Sequence, residues 1–235
     1  MKPESRHRIH MGINFVTSPP PIINSQNYVK FQESLLACSV EFTSSTRREY
    51  QQEHRIEAAR DAPTQLQIAV VASTSQPIGQ LLLVAPHPGR TVEYFIQEAE
   101  QVVEAFEATW PAPHRQVIKR DVTLRDLYET TSDHAFQELW EARLGQLPNS
   151  LAVLGRPVLG GGLRFVMPAQ PDGPAQIEVK IESYLSDTSK IFVETQFTWL
   201  QPTPPGVSFD PRERLLEVDD YARNQVLSFI VGDTK

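Results

Sequence analysis

The chain has 235 residues, 40% of them hydrophobic, and a formal net charge of −7 at pH 7. That length holds one large domain or two small ones, with enough apolar material for a sizeable core. The acidic balance argues against a general nucleic-acid binder, because phosphate contacts need a basic surface.

Residues 1–27 show no sustained periodicity and read as an extended N-terminal arm, with Pro19, Pro20 and Pro21 running extended. Lys2, Glu4, Arg6 and Arg8 precede only the short apolar run Ile13–Val16. A signal-peptide core is lacking there, so the protein reads as cytoplasmic. From Tyr28 a helix is predicted, with Tyr28, Phe31, Leu35 and Cys38 on one stripe and Val29, Leu36 and Val40 on another. Val40–Thr43 suits a strand, and the polar stretch Glu49–Arg60 suits a surface strand or a helical turn. Leu66–Val70 and Ile78–Val84 read as strands turning at Ser73–Pro77. Thr91 to Trp110 predicts a long helix, since Val92, Phe95, Ile96, Ala99, Val102, Val103, Phe106 and Trp110 share an arc of about 120°. Pro111 and Pro113 end it.

Gln116–Ile118 and Val122–Leu124 suggest short pieces within a connection, and Ser132 or Asp133 suits the cap of a further helix. Phe136, Leu139, Trp140 and Leu144 of that helix point inward, and Gly145 and Pro148 stop it. Then comes an antiparallel meander. Leu163, Phe165 and Met167 share one face, and Ile177, Val179 and Ile181 alternate with Glu178, Lys180 and Glu182. In the third strand, Ile191, Val193, Thr195, Phe197 and Trp199 line one face. The turns are Pro171–Pro174 and Ser186–Ser189. A last helix has Asp210 as its cap, Pro211 at its first position and Glu213 three residues on. Its inward stripe is Leu215, Val218, Ala222, Val226 and Phe229.

The fold expected is α+β, with two similar halves, each an antiparallel meander of about three strands covered by a long amphipathic helix. The divisions are an arm at 1–27, a first half at 28–112, a connection at 113–131 and a second half at 132–235.

Chemistry is sparse. The six histidines are scattered, and the lone Cys38 excludes both an internal disulfide and a structural zinc site. No metal or cofactor is expected. Ser132, Asp133 and His134 are sequence neighbours and cannot pass a proton along one line. Phosphate-loop, dinucleotide and nucleophile-elbow motifs are missing. Two loops can present backbone amides to an anion: His87–Pro88–Gly89–Arg90, with His87 and Arg90, and the run Gly160, Gly161 and Gly162. The simpler reading of each is a structural turn.

The leading functional expectation is a non-catalytic interaction or structural subunit of a homo- or hetero-oligomer, partnered by itself or another protein, away from nucleic acid and membrane. The alternative is a small-ligand (anion) binder or enzyme using the two loops. Candidate contact residues are the acidic stripe Glu93, Glu100, Glu104 and Glu107, a dock for a basic partner or simply a solvated face. The second candidate is the flank of the last helix, with Leu216, Leu227 and Ile230. No apolar run is long enough to span a bilayer as a helix: Ile68–Ala72, Leu81–Ala85 and Val226–Val231 are far too short.

Overall fold

A computed structural model describes residues 1–171, 173–207 and 209–232. Nine antiparallel strands form one sheet: β1 His7–Ser18, β2 Ser44–Glu49, β3 Glu53–Arg60, β4 Leu66–Ser73, β5 Gly79–Pro86, β6 Gln116–Glu129, β7 Gly162–Pro168, β8 Gln176–Ser183 and β9 Lys190–Trp199. Their order across the sheet is β2-β3-β4-β5-β1-β6-β9-β8-β7. Helices α1 Ser25–Ala37, α2 Val92–Thr109, α3 Ala135–Gln137, α4 Pro211–Tyr221 and α5 Leu227–Val231 complete the described elements, with short 3-10 and π turns. The chain is therefore mixed α and β, with a larger sheet than two three-stranded meanders would make.

Two sequence expectations are corrected at the centre of this sheet. The arm contains β1, which is paired on both sides, with β5 and with β6. Its alternation is real but brief: Met11, Ile13 and Phe15 face the helices and are fully buried, while His10, Gly12 and Asn14 occupy the other face. The connection contains β6, one strand rather than two short pieces. Its charged interruption Lys119–Arg120–Asp121 obscures the pattern, yet it alternates too. Arg120 is buried, and Lys119 and Asp121 pair on the opposite face at 3.0 Å.

A bulge between Arg8 and His10 shifts the β1–β6 register. One extra residue turns the side chains beyond it to the other face. Arg8 consequently points to the helix side, where Arg6 and Arg8 meet the buried Asp126 of β6 and Asp219 of α4 at 2.6–3.0 Å. Burial pushes the Asp126 carboxyl above its ordinary value, and Arg6 pulls it back. These ion pairs tie the start of the chain to the last long helix.

The helices cover one face. Under α2, Phe95, Ile96, Ala99, Val102 and Phe106 pack on Leu81, Leu83, Val122 and Leu124. Each of these side chains except Ala99 contributes about 2 kcal/mol on burial. Thr91 caps α2 by accepting from the Tyr94 N–H. Phe209 wedges in edge-on, 5.0 Å from Phe15 and 5.5 Å from Phe106 between ring centres. A second cluster joins Tyr128, Val179, Ile181, Ile191 and Val193 to Ala135, Leu139, Val226 and Ile230. Trp110 and Trp199 are buried, as their apolar stripes imply.

Local details differ from expectation. Val40–Thr43 is not a strand, and β2 begins at Ser44. His134, rather than Ser132 or Asp133, caps α3 through the Phe136 N–H. Asp210 stands at the start of α4 but with left-handed backbone and no side-chain capping bond, while Pro211 does occupy the first turn. Asp172 of the Pro171–Pro174 turn lies outside the described residues.

The most consequential difference is a π-helical stretch, Ala222–Val226, between α4 and α5. A π turn holds one residue more than an α turn, so everything after it rotates by about one residue, roughly 100°. Leu215, Val218, Ala222 and Val226 face inward as their spacing implies. Beyond the stretch Ile230 takes the inward position and Phe229 turns out, 56% exposed.

Candidate interaction surface

Part of each anion loop is engaged within the fold, although Arg90 Nη1 is buried without a hydrogen bond. Arg90 reaches Glu98 at 3.7 Å, donates to Thr64 Oγ1 at 3.1 Å and stacks over the Tyr94 ring at 3.7 Å. Glu98 is buried and pairs more closely with Arg60, at 2.6 Å. His87 is exposed, with left-handed backbone, and its N–H closes onto the Ile9 carbonyl. In the glycine run, the Gly161 N–H donates to Ser183 Oγ at 3.0 Å, and the Gly161 carbonyl accepts from the Ser183 N–H. None of Gly160, Gly161 and Gly162 has positive φ. Crowding is the constraint instead. A Cβ on Gly160 would lie 2.5 Å from Leu185, on Gly161 2.8 Å from Phe136, and on Gly162 2.1 Å from the Ile181 carbonyl oxygen.

The acidic stripe and one of the predicted leucines come together. Glu100, Glu104 and Glu107 of α2 face Asp210, at the start of α4, and Glu213 and Leu216 of α4 across a groove of about 540 Å³. Val103 is buried in it and Leu216 is 42% exposed. Arg212 crosses it in a two-bond pair with Glu100, at 2.8 and 2.7 Å. Burial pushes the Glu107 carboxyl above its ordinary value, with Arg115 opposing. Glu93 lies outside the groove, in the first turn of α2, where hydrogen bonds from its own N–H and from Thr91 lower its pKa.

The rest of the predicted flank separates from Leu216. Leu227 packs against the second cluster, and Ile230 is buried there. Ile230 is therefore a core residue and not a surface contact, because the π turn carries it inward.

A second groove has no counterpart among the sequence expectations. It runs between β7, the last strand of the sheet, and the end of the C-terminal helix, with a volume of about 420 Å³. Phe165, Met167, Val179, Ile181, Tyr221 and Phe229 line it. Phe165 meets Phe229 edge-on with ring centres 5.3 Å apart. Phe165 and Val166 are exposed, Val166 by 54%. The sequence shows Phe165 and Phe229 as inward residues. Nothing local reveals that β7 ends the described sheet, or that the helix changes phase. Exposed apolar residues also gather in the chain leading to β7: Leu147, Leu154, Leu159 and Val153, the last 88% exposed.

The face of the sheet opposite the helices is polar at this end. Arg125, Glu194, Lys180, Glu178 and Arg164 form a ladder of alternating charge across β6, β9, β8 and β7, with contacts of 2.5–3.3 Å. Toward the centre, burial lowers the His10 imidazole from 6.5 to about 4, assisted by Arg125. Among the described residues no group of three or more His, Cys, Asp and Glu side chains is arranged to hold a metal ion. No described helix is long and apolar enough to cross a membrane. Cys38 closes α1, half-buried, with its thiol pKa raised by burial.

No protein-family model matches the chain. No curated protein matches its sequence. Among solved structures, the di-domain ARO/CYC BexL from the BE-7585A biosynthetic pathway aligns over 95% of this chain and 99% of its own, at 8% identity. Its TM-score of 0.23 is too low to carry any argument about fold or chemistry.

Proposed function

We propose that this chain is a non-catalytic interaction subunit, and that it joins its assembly through the β7 end of the sheet. The observation that carries this reading is the apolar groove between β7 and α5, with Phe165, Val166 and Phe229 exposed beside an edge that no other described strand pairs. Exposed aromatic side chains rimmed by polar residues favour contact with another protein. A strand edge of this kind supplies backbone hydrogen bonds for the same contact. We read the sheet as two like halves that meet where β1 pairs with β6, which leaves β2 and β7 as its ends.

The test is affinity capture of the tagged chain from its native cells, comparing the natural sequence with Phe165→Glu/Phe229→Glu. The expected result is a defined set of co-purifying chains, this protein's own copies included, that the double variant loses while its circular dichroism is unchanged. Equal recovery with both proteins would overturn the reading. A rise in melting temperature with inorganic phosphate, abolished by Arg90→Ala, would favour the anion-binding alternative instead.

A further inference from the structure

Resting on that reading, we infer that the β7 edge is filled by a second copy of this chain, pairing β7 with β7 antiparallel about a two-fold axis at Phe165, so that two sheets become one. The two ends of the sheet differ in how they are guarded. β2, of sequence SSTRRE, carries Arg47, Arg48 and Glu49. Charged side chains on an edge oppose strand addition. β7 carries one charge, Arg164, which is held by Glu178 at 2.9 Å through two bonds.

The strand is also complementary to itself. With the axis at Phe165, Leu163 stands opposite the second copy's Met167 on the helix face. Arg164 stands opposite its Val166 on the other face. Like charges are not directly opposed, and the arginine that ends each charge ladder meets an apolar residue instead of the other arginine. Pro168, which has no N–H, falls opposite Gly162 at the margin of the pairing.

The same symmetry supplies a cover for the groove. Antiparallel pairing carries the stretch before β7 past the far end of the other copy's β7, beside its Met167 and Tyr221. That stretch bears Leu154, Leu159 and Val153, all exposed in the single chain. Each copy thus offers an apolar groove and an apolar segment, and a two-fold arrangement satisfies both at once.

Sedimentation velocity of the full chain at micromolar concentration should give twice the chain mass of 26.6 kDa. Val166→Lys, at an exposed position, places an ammonium opposite Arg164 at two symmetric points and should return the mass to that of one chain. Val166→Gln, which adds a polar side chain without charge beside Glu178, its cross-strand neighbour in the same chain, should retain the dimer. This dependence on charge separates strand pairing from general apolar association. Phe165→Cys, in a Cys38→Ser background, should cross-link on mild oxidation, because directly opposed residues lie about 4.5–5.5 Å apart between Cα atoms, within disulfide reach. A monomeric natural sequence overturns the inference. So does a dimer that survives Val166→Lys, or a Phe165→Cys variant that sediments as a dimer yet stays unlinked after oxidation. A monomer that still captures other proteins through Phe165 and Phe229 would remove the second copy as occupant and leave the interaction reading standing. A monomer that captures none removes both.

Discussion

The rotation of the C-terminal helix at Ala222–Val226 makes an uneven prediction for two adjacent residues. A straight α-helix continued from Leu215, Val218, Ala222 and Val226 would place Phe229 inside and leave Ile230 on the flank. The π-helical stretch reverses them: Ile230 is 2% exposed, in contact with the second core cluster, and Phe229 is 56% exposed. Truncating a buried isoleucine to alanine removes its transfer free energy and leaves a cavity, a cost of about 2–4 kcal/mol. The helix end can relax around the gap, so Ile230→Ala should fall toward the lower figure. Phe229→Ala loses its edge-on contact with Phe165, worth about 0.5–1.5 kcal/mol. Urea unfolding followed by far-ultraviolet circular dichroism, at low protein concentration to exclude association, should resolve the two variants at unchanged slope. A cost for Phe229→Ala equal to or above that for Ile230→Ala would refute the rotation. Deleting Asn224 removes the extra residue, and in that background the ranking of the two positions should invert.

Gly162→Ala should destabilise by about 1–3 kcal/mol, since its Cβ would lie 2.1 Å from the Ile181 carbonyl oxygen and 2.6 Å from Glu182 Cα, both backbone atoms of the adjoining strand. Gly173→Ala, with no neighbour nearer than 3.8 Å, should change the urea midpoint little. For His10, a folded pKa of about 4 against an ordinary 6.5 means that between these values the unfolded chain binds a proton the folded chain does not. Its contribution to stability is complete above pH 6.5 and is lost as pH falls through 4. Unfolding midpoints of His10→Gln should therefore fall less than those of the natural sequence over this window, and parallel pH profiles would count against a desolvated imidazole. Iodide should quench Trp140 far more than the buried Trp110 and Trp199, and equal quenching of all three in the native state would contradict the described burial.

What the sequence determined by itself is what local periodicity can decide. The span of α2, its apolar arc, the inward line Ile191–Trp199 and the alternation in β8 all follow from side-chain spacing within one element. The acidic face of α2 was equally legible, and so was the absence of familiar catalytic motifs. Only the tertiary structure decided which strands are central and which are edges, because strand partners are distant in sequence. β1 gathers residues 7–18 between partners at 79–86 and 116–129, and its polar His10 and Asn14 hide a short alternation from any local reading. The π turn likewise depends on packing: one extra residue exchanges Phe229 and Ile230 between surface and core. The glycines at 160–162 look like a turn that needs left-handed backbone, whereas the constraint is the space left by Ser183, Phe136 and the backbone of β8. Such contacts exist only once distant segments have met, so no pattern within the run itself records them.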